Sequence, residues 1–237
     1  SLGVAVHDIQ AVATSASRRA SNADTFFAAV QEECGITVRT ISGLEEAQLT
    51  WRGATFELDV PEAHFAVVDL GGGSTEVVIG HATAKEAPER HSLPLGTVRL
   101  NERFFDPQPA PYRPPQFSAM LQHIETTLST VEWNRPVGAI IAVAGTATTL
   151  AAMELGLKAW DRSKIHGTGL SQASLDQWMD RLLHATPTTR RQLAQVSPER
   201  ADNLLAGAAV LSAICKASGR AQLTISDGGI RHGVLLT

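Results

Sequence analysis

The sequence has few of the features that anchor or cross-link a protein. Two cysteines occur among its 237 residues, Cys34 and Cys215, and each stands in an apolar stretch with helical periodicity. We therefore expect buried free thiols and a reducing compartment, because disulfides persist mainly in oxidising ones. The longest apolar run, around residues 204–214, is too short to cross a bilayer, and no basic-then-apolar leader is visible. These absences predict a cytoplasmic protein without a membrane partner.

Charge of one sign is also scarce. The formal net charge is −4, and charged residues make up 19% of the chain against 43% hydrophobic residues. This is an ordinary globular balance, and it gives no indication of a nucleic-acid partner. A polyanionic substrate would have to meet a local basic patch. Candidates for that patch, each also explained as a plain surface or ion-paired residue, are Arg99, Arg103, Lys164, His166 and Arg231.

Strand and helix patterns alternate along most of the chain. Apolar runs and period-two alternation predict strands at 9–13, 36–41, 65–70, 76–80, 91–95, 137–144 and 223–226. Helical periodicity and capping signals predict helices at 23–34, 43–54, 97–105, 120–131, 147–155, 172–184 and 198–218, with a closing helix after residues 227–229. Five prolines within 107–115 predict a surface loop. The order of elements predicts an α/β fold with a mixed sheet flanked by helices, divided into domains at 1–58 and 59–237.

The strongest chemical signal is the string DLGGGSTE at 69–76, between two predicted strands. Glycines let a backbone approach a ligand closely and turn successive N–H groups inward, which makes an anion-binding nest. Asp69 and Glu76 flank the turn and could hold a Mg²⁺ ion bound to phosphate oxygens. The alternative is a glycine hairpin with polar decoration. The residues predicted to bind phosphate here are Gly71, Gly72, Gly73, Ser74 and Thr75.

A second glycine loop, AGTATT at 144–149, leaves a predicted buried strand and enters a helix. A helix N-terminus presents free N–H groups and a partial positive charge, so Gly145 and Thr146 are predicted to bind phosphate. The alternative is an ordinary helix cap. The presence of the first glycine loop favours the phosphate-binding interpretation of the second, since two loops that face each other can bind one phosphate.

Two further segments carry charged candidates. Ser42 and Glu45 form a capping-box pattern, which gives Glu45 a structural role and leaves Glu46 unexplained. If Glu46 faces the Asp69 loop across a cleft, it can orient and deprotonate an attacking water; otherwise it is a solvated acid favoured by the helix dipole. Arg18 follows the first predicted strand. It could hold a phosphate in a bidentate grip, or it could be a solvated surface cation.

Several strings occur in a characteristic order: AVATSASRRASN, ISGLEEAQL, VVDLGGGSTEVV, SLPLGTVRL, AVAGTATTLAA, KIHG, SPERADNLLAGA and SDGGIRHGVLL. In this order they resemble the successive motifs of the exopolyphosphatase/guanosine pentaphosphate phosphohydrolase family, over essentially the whole chain. The resemblance implies an actin-like (ribonuclease H-like) fold of two domains with the active site in the cleft between them. It also implies an enzyme that depends on Mg²⁺ or another divalent cation. Such an enzyme releases terminal phosphate from polyphosphate, or the 5′ γ-phosphate from guanosine pentaphosphate, a nucleotide of the stringent response.

The resemblance also implies roles for single residues. Glu46 matches the family's water-activating glutamate, and Arg18 matches its phosphate-binding arginine. Asp69 and Glu76 match the acidic pair near the metal, which makes Glu76 a catalytic residue beside Glu46 and Arg18. Residues 71–74 and 145–146 match the phosphate loops.

Members of that family carry a further Asp-x-Gly-Ser/Thr-Asn loop ahead of the first of these motifs, and the sequence starts after the place where it would lie. We therefore expect a partial first domain beside a complete second one, and a weak catalyst. A sheet edge left unpaired near Val12 and Val38 favours association between chains, so a homodimer is a candidate. Two alternatives from other classes stay open: an actin-like small-molecule kinase, and a non-catalytic relative that binds nucleotide or polyphosphate.

Overall fold

The fold is taken from a computed structural model that describes residues 3–60, 64–81, 89–105, 112–133 and 137–237. The strands within these ranges are β1 (Ala11–Ala13), β2 (Val38–Thr40), β3 (His64–Leu70), β4 (Thr75–His81), β5 (Glu89–Leu93), β6 (Ala139–Val143), β7 (Gly169–Ser171) and β8 (Gln222–Ile225). The helices are α1 (Ser15–Arg19), α2 (Ala23–Cys34), α3 (Gly43–Thr55), α4 (Thr97–Phe104), α5 (Pro114–Leu128), α6 (Ala144–Glu154), α7 (Arg162–Ile165), α8 (Gln172–His184), α9 (Pro187–Leu193), α10 (Leu204–Ser218) and α11 (Ile230–Leu235). Short 3-10 turns lie at Val6–Asp8 and Pro198–Asn203.

The main sheet contains six strands in the order β5-β4-β3-β6-β8-β7. Strands β3, β4 and β5 form an antiparallel meander, β6 and β8 extend from β3 in parallel pairs, and β7 returns antiparallel to β8. The central strand β3 reads HFAVVDL, an almost continuous apolar run, because both of its faces are covered. The sheet is therefore mixed and flanked by helices, as the sequence predicted.

Helices cover the two faces of this sheet unequally. One face contributes to a large core that is completed by α5, α6, α8 and α10. Helix α10 is buried along residues 204–215 because it consists almost entirely of small and apolar residues. The opposite face packs against α3, where the Phe65 ring stacks on Trp51 with a centroid distance of 4.2 Å. The main sheet thus lies between one large and one small apolar layer.

Helix α3 connects the first part of the chain to both the sheet and the C-terminus. The C-terminal helix α11 packs against α3, and glycines at the contact let the two backbones approach closely. A Cβ atom placed on Gly53 would lie 1.9 Å from the carbonyl oxygen of Gly229, and one on Gly233 would lie 1.9 Å from that of Leu49. Ahead of α3, β1 and β2 form a separate two-stranded parallel sheet.

Most predicted elements are confirmed, with boundaries that differ by a few residues. The stop signals Gly35 and Gly219 are confirmed in the left-handed region, with φ of 70° and 68°. The helix predicted at 198–218 is wrong at its start, because a 3-10 turn occupies 198–203 before α10 begins. The predicted proline loop is also shorter than expected, since α5 begins at Pro114, where a missing N–H costs no hydrogen bond. Residues 107–111 of the predicted loop lie outside the described ranges.

The sequence patterns missed α1, β7, α7 and α9. These elements contain 5, 3, 4 and 7 residues, too few for a strand or helix period to be recognised. The six-stranded sheet lies within 59–237 and the two-stranded sheet within 1–58, and the boundary between domains at these residues stays a prediction.

The two cysteines are both free, but only one is buried. Cys215 lies inside α10, whereas Cys34 is exposed, so the expectation of burial is wrong for Cys34. The reason is that α2, which carries Cys34, has no buried residue. No helix in the described parts of the chain is long and apolar enough to span a bilayer.

Candidate active site

The acidic pair of the DLGGGSTE string lies at one end of the main sheet. Asp69 stands directly opposite Glu76 of β4, and on its other side it neighbours Val143, the last residue of β6. The pair therefore lies where the carboxyl ends of β3 and β6 meet, the position at which open α/β sheets bind ligands. Like charges directly opposite each other on a sheet repel. This arrangement favours a compensating cation or a protonated carboxyl.

A third carboxylate, that of Glu46 on the first turn of α3, completes the cluster. Burial, followed by the charges of Glu76 and Glu46, raises the pKa of Asp69 from 3.8 to about 7. Burial also raises the pKa of Glu76, against the lowering effect of hydrogen bonds from the Ser74 and Ser92 hydroxyls at 2.7 and 3.0 Å. The negative charge of Glu46 contributes to the raised pKa of both carboxyls, so Glu46 lies near the acidic pair.

Arg18 is held against this cluster by two contacts. Its Nη2 lies 2.9 Å from Oε2 of Glu46, and its Nη1 donates to the carbonyl oxygen of Ile41 at 2.8 Å. Together they fix the plane of the guanidinium group, so the alternative of a freely solvated surface cation is wrong for Arg18. Only 14% of the Glu46 side chain is exposed, which likewise argues against a plain solvated acid.

At Glu45, the neighbour of Glu46, the Ser42 half of the predicted capping box is confirmed. Its backbone N–H donates to Oγ of Ser42 at 3.1 Å, which caps α3, and its carboxylate pairs with Nη1 of Arg39 at 2.5 Å. Two adjacent glutamates on α3 therefore have different partners. Glu45 is for this reason a matched control for Glu46.

The first glycine loop is fixed onto the start of α4. The carbonyl oxygens of Gly71 and Gly72 accept hydrogen bonds from the N–H groups of residues 97–99 at 3.0–3.1 Å. In a trans peptide the N–H points opposite to the carbonyl, so the N–H groups of Gly72 and Gly73 are directed away from α4. Gly96 permits this approach, since a Cβ atom there would lie 2.2 Å from the Gly72 oxygen. The loop thus holds two successive N–H groups in a defined direction.

The hydroxyl groups of this loop stabilise the loop itself. Ser74 donates to Oε1 of Glu76 at 2.7 Å, which orients that carboxylate. Thr75 is fully buried and donates to the carbonyl oxygen of Leu95 at 3.0 Å. The prediction that the Thr75 hydroxyl binds phosphate is therefore wrong, because that hydroxyl is already hydrogen bonded in the interior.

The second glycine loop opens α6 with a strained residue. Ala144 has a φ of 75°, a left-handed conformation that costs a non-glycine residue about 1–2 kcal/mol. Strain of this kind is concentrated at ligand-binding sites. Thr146 is buried, and its methyl carbon would lie 2.2 Å from a Cβ atom on Gly207 of α10. Its side chain therefore packs into the interior, which limits the predicted phosphate contact of Thr146 to its backbone N–H.

Asp69 and Gly145 line one cleft, with a volume of about 370 Å³. Its other walls come from Trp160, from the 3-10 turn at 198–203 and from residues 227–231 after β8. Trp160 is 46% exposed, although it is large and apolar. Clefts of this size bind small molecules.

Sequence reasoning missed two arginines beside this site. The Arg200 guanidinium lies against Gly145, since a Cβ atom on that glycine would be 2.3 Å from the Arg200 Cζ. Arg90 of β5 and Arg18 both approach Gly43 at the start of α3, with Nη atoms 3.5 and 3.9 Å from the Cβ position. Both missed residues stand in strings that carry the family resemblance or border it. Nothing local distinguishes them from surface cations.

The five predicted basic residues differ in their positions. Arg231 lines the cleft. Lys164 pairs with an aspartate, and Arg103 lies over an aromatic ring of α4 and contacts a histidine of α5, so both are engaged elsewhere. His166 accepts a hydrogen bond at Nδ1 from the backbone N–H of Asp227, which supports the loop after β8. The Arg99 backbone N–H takes part in fixing the first glycine loop.

The acidic pair fits a magnesium ion that is shared with substrate. Within the described residues, no three histidine, cysteine or acidic side chains form a ready-made metal cage. Mg²⁺ does not require one, because it keeps several waters and binds through one or two carboxylates together with substrate phosphates. Asp69 and Glu76 offer carboxylate oxygens on one sheet face, and a divalent cation there would offset the burial and the neighbouring negative charge that raise their pKa values.

The chain resembles known proteins both in sequence and in fold. The profile of the Ppx/GppA phosphatase family matches residues 2–237. Exopolyphosphatase 2 of Mycobacterium tuberculosis is 35% identical in an alignment of 240 positions that covers 97% of this chain and 74% of that protein. The Ppx/GppA enzyme of Aquifex aeolicus matches with a TM-score of 0.84 at 35% identity, over 96% of this chain and 74% of that one. An exopolyphosphatase of Cytophaga hutchinsonii has a TM-score of 0.82 at 26% identity, over 96% and 73%. The predicted actin-like fold is therefore confirmed.

Proposed function

The chain belongs to the Ppx/GppA phosphatase family, and from that premise we propose that it removes terminal phosphate from inorganic polyphosphate with a water that Glu46 activates. Membership of the family makes it a phosphoanhydride hydrolase. The observation that carries the finer proposal is the position of Glu46. It lies beside the Asp69–Glu76 pair and is held by Arg18 at 2.9 Å.

In the proposed reaction, Glu46 accepts a proton from the attacking water. The water oxygen forms a bond to the terminal phosphorus while the bridging P–O bond breaks. The electron pair of the broken bond remains on the bridging oxygen, which becomes the new end of the shortened chain. The products are one inorganic phosphate and a polyphosphate that is one unit shorter. Arg18 contributes by orienting the carboxylate, since it is fixed at the same time to the carbonyl oxygen of Ile41.

The phosphate is held by hydrogen-bond donors from several elements. Phosphoryl transfer depends mainly on positioning and on stabilising charge at the equatorial oxygens, with little covalent chemistry for the protein to perform. The first glycine loop offers the N–H groups of Gly72 and Gly73, and the start of α6 offers that of Gly145. Two guanidinium groups add positive charge, since Arg200 lines the cleft and Arg18 lies against Glu46.

Asp69 and Glu76 would hold Mg²⁺ or a similar divalent cation. When bound, the ion supplies positive charge to phosphate oxygens. The two side chains themselves orient the site, because Glu76 is fixed by hydroxyl groups of Ser74 and Ser92. Protonation of Asp69 would compete with the cation for the same oxygens.

The unfolding free energy should depend on pH and on Mg²⁺, because a proton and the cation compete for the Asp69 carboxylate. The pKa of Asp69 is raised in the folded state from 3.8 to about 7, so its stabilising contribution is complete at low pH and is lost as the pH rises through 7. At about 1.4 kcal/mol per pKa unit, Asp69 should therefore cost the metal-free protein about 4 kcal/mol of unfolding free energy between about pH 4 and pH 8. Asp69→Asn should lose clearly less. Added Mg²⁺ should stabilise the wild type at pH 8 and have little effect on Asp69→Asn.

The control for this experiment is Glu45→Gln, which removes an acid from the same region without touching the pair. It should keep the pH dependence and the Mg²⁺ response of the wild type. Chemical denaturation at several pH values measures both quantities. If Mg²⁺ stabilised the wild type and Asp69→Asn equally, Asp69 would not be a ligand of the metal.

Arg18→Lys is expected to lower kcat/KM by about tenfold or more although the charge is kept, since a charge-assisted hydrogen bond contributes about 1.5–3 kcal/mol. A lysine cannot contact the Ile41 carbonyl, Glu46 and a phosphate at once, because it lacks the planar fork of donors. Arg39→Lys is the matched control, since Arg39 pairs with Glu45 outside the cluster. Full activity of Arg18→Lys in a phosphate-release assay would show that Arg18 acts as diffuse charge only.

A guanine nucleotide such as guanosine pentaphosphate is the second candidate substrate, and Trp160 is the observation that favours it. The exposed indole lines the cleft, and stacking of a base on an aromatic ring contributes about 1–3 kcal/mol. If a base stacks there, Trp160→Leu should raise KM for the nucleotide and leave KM for tripolyphosphate unchanged. Equal KM values for the nucleotide in both proteins would exclude that contact.

The proposal is tested by phosphate release from long-chain polyphosphate with Mg²⁺ and no acceptor molecule. Release of inorganic phosphate supports the hydrolase. Phosphate transfer that requires a small-molecule acceptor would instead identify a kinase of the same superfold. Binding of polyphosphate without any turnover would identify a non-catalytic relative.

A further inference from the structure

Arg190 of α9 is a buried cation that takes no part in the proposed reaction. It is only 3% exposed, and burial of a cation is costly unless the cation is paired and hydrogen bonded. Its Nη1 donates to the carbonyl oxygen of Ala185 at 3.1 Å, and its Nη2 lies 3.4 Å from Oδ1 of Asp202. The guanidinium also lies 4.1 Å from the ring centroid of Tyr112. These contacts join α9 to the 3-10 turn at 198–203.

Tyr112 holds the same turn from another direction. Its hydroxyl donates to the backbone carbonyl oxygen of Asp202 at 2.7 Å, and its ring packs against Phe105 with a centroid distance of 4.3 Å. Burial raises the pKa of Tyr112 to about 12, so the hydroxyl is a neutral donor at physiological pH. The side chain and the backbone of Asp202 are therefore held by two residues from separate parts of the chain.

The turn that is held in this way carries Arg200. Arg200 precedes Asp202 by two positions, and Ala201 between them is fully buried. The Arg200 side chain is 45% exposed and pairs only loosely with the adjacent Glu199 at 3.7 Å, yet its guanidinium lies against Gly145. A 3-10 turn has weaker hydrogen-bond geometry than an α-helix. The position of Arg200 therefore depends on how firmly the backbone of this turn is held.

Building on the proposed phosphate contact of Arg200, we infer that Arg190 and Tyr112 are positioning residues. They hold the 3-10 turn through Asp202, and so keep the Arg200 guanidinium beside the second glycine loop. Neither residue lines the cleft, and the Tyr112 hydroxyl and the Nη atoms of Arg190 are engaged by Asp202 and by Ala185, so both act through the turn. A buried arginine and a tyrosine outside the site thereby contribute to phosphate binding inside it.

The first test needs no activity. Tyr112→Phe removes one hydrogen bond to Asp202 and keeps the ring that lies over Arg190, so amides of residues 197–203 should exchange with deuterium about fivefold faster. Ser212→Ala is the control, since it removes a comparable hydrogen bond, at 2.6 Å to Asp176, between α10 and α8. It should leave exchange at 197–203 unchanged. If the amides of residues 197–203 exchanged at the wild-type rate in Tyr112→Phe, the inference would be overturned.

The second test is a double-mutant cycle on KM for inorganic tripolyphosphate. Tyr112→Phe should raise KM about fivefold with kcat within about twofold of the wild type. In an Arg200→Ala background the same substitution should raise KM no further, because the residue through which it acts is gone. Arg190→Met, if it folds, should behave in the same way. If Tyr112→Phe and Arg200→Ala each raised KM and the double variant showed the product of the two increases, the inference would be overturned.

Failure of the proposed function gives a different result from failure of this inference. If the wild type binds tripolyphosphate without releasing phosphate, the hydrolase proposal fails and the cycle is run on the dissociation constant measured by calorimetry. If tripolyphosphate does not bind at all, the phosphate contact of Arg200 is wrong, and with it the functional part of the inference.

Discussion

Glu46→Gln is expected to lower kcat for phosphate release by about 10²–10⁴-fold, the range that a positioned general base contributes. The amide has the same shape and can still accept a hydrogen bond from Nη2 of Arg18, but it cannot take a proton from water. The fold should be unharmed, because the α3 cap uses the Ser42 hydroxyl and the Glu45 N–H. KM should stay within about threefold, since the ground-state contacts to phosphate are unchanged.

The neighbouring glutamate provides the control for this prediction. Glu45→Gln removes an acid one residue away, but its partner is Arg39 outside the carboxylate cluster. We expect near wild-type kcat and KM for Glu45→Gln, measured with polyphosphate and saturating Mg²⁺. If Glu46→Gln kept most of its turnover while Glu45→Gln lost it, the roles assigned to the two residues would be reversed.

Gly53→Ala is expected to lower the unfolding free energy by about 3 kcal/mol or more, or to prevent folding. The new Cβ would lie 1.9 Å from the carbonyl oxygen of Gly229 and 2.8 Å from the backbone nitrogen of Gly233. These are backbone atoms, which cannot rotate away as a side chain can, so α3 and α11 would have to separate. Because Gly228 and Gly229 line the cleft, activity should fall together with stability.

Gly43→Ala, on the same helix, is the matched control for Gly53→Ala. The nearest atom to its new Cβ would be a side-chain nitrogen of Arg90 at 3.5 Å, an ordinary contact. Its unfolding free energy should stay within about 0.5 kcal/mol of the wild type, as for most surface substitutions. Denaturant unfolding of the wild type, Gly53→Ala and Gly43→Ala measures these free energies. A Gly53→Ala protein as stable as the wild type would contradict the close approach of α3 and α11.

The parts of the site that the sequence predicted are those with a local signal. Asp69 and Glu76 are only a turn apart, so a strand, three glycines and a return strand suffice to place them opposite each other. The same holds for Gly35 and Gly219, which end their helices in the left-handed conformation. Arg18 and Glu46 stand 28 positions apart, and only the family resemblance predicted that they share a site.

The parts that sequence reasoning missed depend on contacts between distant elements. A glycine inside a helix normally destabilises it, so Gly53 has no evident purpose until α11 is in place. Arg200 reaches Gly145 from a 3-10 turn that packs against α4, α9 and α10. The Thr75 hydroxyl is buried because Leu95 lies next to it, twenty positions along the chain. No local pattern contains this information.

The most direct measurement for the central claim is hydrolysis of polyphosphate in ¹⁸O-labelled water with Mg²⁺ and no other acceptor. If a water activated by Glu46 attacks the terminal phosphorus, each phosphate released by the wild type should carry one labelled oxygen from solvent. Glu46→Gln should bind polyphosphate and release almost none. Unlabelled phosphate from the wild type, or labelled phosphate from Glu46→Gln at the wild-type rate, would contradict the account.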